Sequence, residues 1–216
     1  MILTPGFEIL IATHNPGKIR EVQEALQSLP VKLRYLIEFP HVSSLEEVGR
    51  TYEENAVLKA LGYAKQTGVC ALADDSGLEV DALGGKPGVF SARYGGESAS
   101  DRNRAEKLLA DLSQSGSSDR GARFVCCMAL AGWQPTEEQV SSREPQLFGV
   151  TEARCEGTIA PQVRGTNGFG FDPVFVPGGF FATFAELPNE VKARISHRAQ
   201  ALAAIRASLD RSPTET

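Results

Sequence analysis

The tightest constraint on the fold lies near the start of the chain. Residues 7–13 (FEILIAT) form an apolar run of strand length that stops at the turn-forming His14-Asn15-Pro16-Gly17. Residues 18–29 then carry Ile19, Val22, Leu26 and Leu29 at helical spacing, and residues 31–36 alternate apolar and polar side chains as a half-buried strand does. Strand, loop, helix and strand in so short a span make a β-α-β start, which commits the chain to a sheet covered by helices.

The rest of the chain continues the same alternation. Thr51 followed by Glu54 is a capping-box signature, and Val57, Leu58, Leu61 and Ala64 give the segment up to Thr67 an apolar helical face. Residues 69–73 (VCALA) read as a buried strand, Asp74-Asp75-Ser76-Gly77 as a turn, and residues 78–82 as a further strand. A helix is expected over residues 100–112, strands over 123–133 and 147–156, and a solvated hairpin extension over 134–146. A glycine-rich loop at 165–173 precedes a short strand at 174–176, and a helix from His197, capped by Ser196, ends near Leu209. The polar loop at 113–121 requires no domain boundary, so residues 1–209 are expected to form one domain, with 210–216 a disordered tail.

Bulk properties narrow the ligand class. With 216 residues, 42% hydrophobic and 23% charged, the chain has ordinary globular usage, and folding should bury roughly 70% of the extended surface. A formal charge of −5 argues against nucleic-acid coating, so an anionic ligand would have to be met by a local basic cluster. The four cysteines lack metal-ligand spacing and read as buried thiols. The first eight residues do not read as a targeting signal and no eighteen-residue apolar run occurs, so a cytoplasmic protein without membrane association is expected.

Three constellations can carry chemistry. Thr13, His14, Asn15, Pro16, Gly17 and Lys18 stand where a strand hands over to a helix N-terminus, a place that suits a phosphate. The segment is not a Walker loop, and taken alone it reads equally as a turn with a cap. The adjacent carboxylates Asp74 and Asp75 follow a buried strand and suit Mg²⁺, although an Asx-type turn explains them as well. Late in the chain, Phe169, Gly170, Phe171 and Asp172, followed by Lys192, His197 and Arg198, offer aromatic faces, an acid and cations for a nucleobase; core packing is the plainer role of the two phenylalanines. Glu46, Glu47 and Lys59 gain interest only from a partner site.

Taken together, the strings ATHNPGK at 12–18, ENAVLKA at 54–60, ADDSGLEVDALGGKPGVFSARYGG at 73–96, GFGFDPVF at 168–175 and SHRAQAL at 196–202 resemble the inosine triphosphate pyrophosphatase family. The likeness spans nearly the whole chain, and five such strings in order are specific. It implies an α/β fold with a long twisted mixed sheet flanked by helices, two lobes with a substrate cleft between them, and a homodimer. It further implies that residues 13–18 and Lys59 hold a triphosphate, that Glu47 (or Glu46) and Asp75 hold Mg²⁺, and that Asp75 activates or orients the attacking water. Ser76 would touch the substrate, Phe169, Gly170, Phe171 and Asp172 would form the base pocket, and Lys192, His197 and Arg198 would complete it. The implied reaction is cleavage of dITP, ITP or XTP to monophosphate and pyrophosphate. A pyrophosphatase for modified pyrimidine nucleotides and a non-catalytic nucleotide-binding module are the alternatives. Two departures stand out: His14 occupies a position where many members have glycine, and residues 134–146 form a longer segment than expected.

Overall fold

The expected β-α-β start is present. In the computed structural model, which describes residues 6–96, 98–133 and 144–210, strand β1 (Phe7–Ile11) leads into helix α1 (Pro16–Leu26) and then into β2 (Val31–Tyr35). β2 pairs in parallel with β1 from Phe7 opposite Val31 to Ile11 opposite Tyr35. Helix α2 (Tyr52–Thr67) and strand β3 (Cys70–Val80) follow, and β3 pairs in parallel with the other edge of β1. Helix α3 (Asp101–Gln114), strands β4 (Gly121–Gly132), β5 (Gln146–Ile159) and β6 (Phe175–Pro177), and helices α4 (Asn189–Ile195) and α5 (His197–Asp210) complete the chain. The six strands form one mixed sheet in the order β2-β1-β3-β4-β5-β6, with β5 and β6 antiparallel. The solvated extension expected at 134–146 lies, for residues 134–143, outside the described residues, as does the tail from 211 to 216.

Helix ends are capped locally, and the cap at Thr51 was legible in the sequence. Asn15, Thr51 and Ser100 each cap a helix by accepting backbone N–H bonds, and Gly68 ends α2 at φ 72°, a left-handed conformation that glycine adopts without a Cβ penalty. Helix α4 was not legible. It has seven residues and no side-chain cap, too short to show a period.

The chain divides into two compact units: Met1–Asp75 with Cys127–Glu152 and Ala201–Thr216, and Ser76–Cys126 with Ala153–Gln200. In the first, Ile9, Leu10, Ile11, Val22 and Leu26 are buried, and α2 contributes Ala56, Ala60 and Ala64, a stripe of small residues that permits close packing. In the second, Leu78, Val80, Leu108, Leu112, Phe124, Phe175 and Phe184 form the core. There the Phe124 ring meets Phe175 edge-on at 4.7 Å and stacks on His197 at 4.6 Å. All four cysteines are buried, and none forms a disulfide.

Gly132 shows how closely the first unit is packed. A Cβ there would stand 2.2 Å from Cys70 Sγ and 3.0 Å from Cys70 Cα. Gly132→Ala should therefore cost about 1–3 kcal/mol, the usual penalty of overpacking, read as a lower urea midpoint at unchanged slope; an unaltered midpoint would contradict this packing.

Candidate functional site

The Asp74-Asp75-Ser76-Gly77 turn expected from sequence is corrected: all four residues lie inside β3, which runs unbroken from Cys70 to Val80. No turn is needed, because each polar side chain finds a partner from the extended backbone. Side chains of a strand alternate between faces. Asp74 Oδ2 pairs with Lys18 Nζ at 2.9 Å, and Asp75 Oδ1 pairs with Lys59 Nζ at 3.0 Å. The adjacent acids thus serve two different lysines, one on α1 and one on α2.

Residues 43–50 bring the remaining carboxylate. Ser43 N–H donates to Gln66 Oε1 at 2.8 Å, Glu47 Oε1 accepts from Lys59 Nζ at 2.7 Å, Gly49 N–H donates to Asn55 Oδ1 at 2.8 Å, and Arg50 N–H donates to Glu54 Oε2 at 2.6 Å. Between the first two ties, Leu45 packs so closely on Gly62 that a Cβ there would meet Leu45 Cδ1 at 2.6 Å. The segment thus runs antiparallel to α2. Its odd-numbered residues face helix positions 55, 59, 62 and 66, which share one face of α2. This parity selects between the two acids: Glu47 meets Lys59, whereas Glu46 is exposed.

The cluster of the first unit holds three carboxylates, Glu47, Asp74 and Asp75, against two ammonium groups, Lys18 and Lys59. Burial and charge compete at both Asp75 and Lys59. Burial, with Glu47 nearby, pushes the Asp75 carboxyl above its ordinary value of 3.8 despite the opposing pull of Lys59. Burial alone would lower Lys59, yet the charges of Asp75, Asp74 and Glu47 outweigh it and hold the ammonium above 10.5. Among the described residues, no group of three or more His, Cys, Asp or Glu side chains could hold a metal ion unaided. Two carboxylates in a region of surplus negative charge fit Mg²⁺, which is usually held by one or two carboxylates together with substrate phosphates.

The first-turn N–H groups of α1 already have a protein partner. Asn15 Oδ1 accepts from Gly17 N–H at 2.8 Å and Lys18 N–H at 3.2 Å, and Thr13 Oγ1 accepts from Asn15 N–H at 3.2 Å. Pro16 opens the helix, Gly17 is buried, and His14 is exposed.

In the second unit, the buried Asp172 organises the glycine-rich loop. Its Oδ2 accepts from Phe169 N–H at 2.8 Å and from Lys192 Nζ at 2.5 Å. Gly168, at φ +74°, leaves room for this carboxylate, since a Cβ there would stand 2.0 Å from Asp172 Oδ2. The Lys192 ammonium lies 4.6 Å and the Arg198 guanidinium 5.6 Å from the Phe169 ring centroid. Arg198 also donates to Ser76 Oγ at 2.8 Å. Gly170 N–H donates to Asp101 Oδ2 at 2.7 Å, a tie to α3 that sequence reading missed. Phe171 joins the core, edge-on to Tyr94, and His197 is buried against Phe124. Of the aromatic pair, only Phe169 faces the cations.

Fold and clusters together define a mixed α/β protein with a buried lysine–carboxylate cluster in each of its two units. The Ham1 family model matches residues 9–208, and the chain belongs to that family. It is 48% identical over 204 residues to a dITP/XTP pyrophosphatase of Syntrophobacter fumaroxidans, covering 94% of this chain and 82% of that protein. With a dITP/XTP pyrophosphatase of Bacillus licheniformis it shares 43% over 203 residues, 94% and 98% of the two chains. A HAM1 protein from Coxiella burnetii superposes with a TM-score of 0.81 at 43% identity, covering 95% of this chain and all of that one, 100%.

The charge balance makes a measurable prediction. In protein free of divalent cations, the Asp75 carboxyl, followed by carbon NMR, should titrate above 3.8. Glu47→Gln should move the midpoint down and Lys59→Met should move it up. The opposite order would contradict the arrangement.

Proposed function

We propose that this chain is a nucleoside-triphosphate pyrophosphatase that hydrolyses dITP, ITP and XTP to the monophosphate and pyrophosphate. The observation that carries the reading is the buried group of Lys59 with Glu47 and Asp75, beside Lys18 with Asp74, in a Ham1 family member. Close relatives named dITP/XTP pyrophosphatase supply the substrate class.

In this reading Lys18 and Lys59 exchange a carboxylate partner for phosphate oxygens, and residues 13–18 receive the triphosphate. Glu47 and Asp75 hold Mg²⁺, which when bound withdraws charge from the phosphate oxygens and aligns the leaving group. Asp75 orients a water and accepts its proton as the water oxygen bonds to the α-phosphorus. The bond from that phosphorus to the bridging oxygen breaks, and pyrophosphate leaves. A carboxylate that holds Mg²⁺ loses proton affinity, so the main contribution of Asp75 is to orient the water.

The base belongs to the second unit in this reading. Phe169 offers a ring for stacking, Phe171 supports the loop from the core, and Gly170 and Asp172 shape it. Lys192 and Arg198 supply positive donors, His197 completes the pocket, and Ser76 contacts the substrate. A donor directed at a 6-oxo group favours hypoxanthine and xanthine and is left unpaired by adenine, a loss that discriminates strongly in a buried site. A single domain over 1–209 with two lobes and an intervening cleft, a homodimer and a cytoplasmic location belong to the same proposal.

A panel of nucleoside triphosphates with Mg²⁺, with pyrophosphate and orthophosphate measured separately, tests it. ITP, dITP and XTP should release pyrophosphate well ahead of ATP, dUTP and 5-methyl-UTP. Asp75→Asn should lower kcat by about 10²–10⁴-fold, the usual loss for a general base. Orthophosphate as the direct product, or near-normal turnover by Asp75→Asn, would refute it.

A further inference from the structure

Asn55 is fully buried, at 0% exposure, and both ends of its carboxamide are engaged. Its Nδ2 donates to Asp75 Oδ2 at 3.1 Å, and its Oδ1 accepts from Gly49 N–H at 2.8 Å. The orientation of the amide is settled by chemistry. A backbone N–H can only donate, so the carbonyl oxygen must face Gly49, and the NH₂ must then face the carboxylate. Gly49 lies two residues after Glu47, and the closeness of the contact explains the glycine: a Cβ there would stand 2.6 Å from Asn55 Oδ1. Asp75 Oδ1 is taken by Lys59, so the bond to Asn55 fixes the other oxygen of the same carboxylate.

Asn55 therefore ties β3, which carries Asp75, to the extended segment that carries Glu47. Lys59 joins the two acids by charge but leaves their orientation loose, because an ammonium is a point charge with three rotatable donors. A planar amide with a donor on one side and an acceptor on the other is directional. We propose that Asn55 is a positioning residue that sets the separation and orientation of Glu47 and Asp75 for a divalent cation. The inference rests on the proposed function in one respect, that these two carboxylates are the cation's ligands. Partners that orient metal ligands typically contribute about 10–100-fold in metal affinity.

The test uses Mn²⁺ as the probe, with its dissociation constant measured by electron paramagnetic resonance on the full chain without nucleotide, alongside thermal melting and Mg²⁺-dependent turnover of ITP. Asn55→Leu, similar in volume but unable to form either bond, should weaken Mn²⁺ about 10–100-fold and raise the Mg²⁺ concentration for half-maximal rate in parallel, with a smaller change in the KM for ITP. Gly49→Ala, which keeps the Asn55 carboxamide but drives a Cβ against its Oδ1 and so breaks the tie from the other side, should also weaken Mn²⁺, and it decides the matter if Asn55→Leu does not fold. Folded variants with an altered melting temperature but wild-type Mn²⁺ affinity would overturn the positioning role. A wild-type protein whose Mn²⁺ affinity is indifferent to Glu47→Gln and Asp75→Asn would instead refute the assignment of the ligands, a separate failure.

Discussion

The buried ammonium of Lys59 is the interaction on which the first unit's cluster depends. Removing an ammonium from water costs several kcal/mol unless opposite charge is close. Only 8% of Lys59 is exposed, and Glu47 and Asp75 lie 2.7 and 3.0 Å from its nitrogen. The same pairing draws the two acids, from separate segments, to one point. With Asp74 beside Lys18, the group carries more negative than positive charge; that surplus raises the proton affinity of Lys59, while burial is what raises that of Asp75. Surplus negative charge of this kind also attracts divalent cations.

The route by which Glu47 reaches Lys59 follows from elementary geometry. Two residues of extended chain advance about 6.6 Å, and one helical turn advances about 5.4 Å. The repeats are close enough for Ser43, Leu45, Glu47 and Gly49 to meet Gln66, Gly62, Lys59 and Asn55 in turn. An irregular segment thereby gains the register of a regular one. Parity decides which side chain turns inward, and a slip of one residue would present Glu46 and the exposed Val48 to the helix.

In the second unit Asp172 has the corresponding part. One buried carboxylate oxygen accepts from the Phe169 N–H and from Lys192, and this loop geometry requires glycine at 168. Lys192 and Arg198 then both lie within reach of the Phe169 ring.

The sequence alone was enough for whatever depends on neighbours along the chain. It determined the β-α-β start, the capped helix at Thr51, the helix over 100–112, the final helix at His197 capped by Ser196, and the residue types of Lys18, Lys59, Asp75 and Asp172, because periodicity and capping are local. Tertiary structure decided what depends on partners distant in sequence. It drew Asp74-Asp75-Ser76-Gly77 into a continuous strand, since Lys18, Lys59 and Arg198 satisfy side chains that would otherwise favour a turn. It sent Phe171 to the core beside Tyr94 and kept Phe169 with the cations. It chose Glu47 over Glu46 and gave Asn55 two partners. Desolvation is the common reason: the cost of burying a charge or an amide depends on which groups surround it, and spacing along a chain does not contain that information.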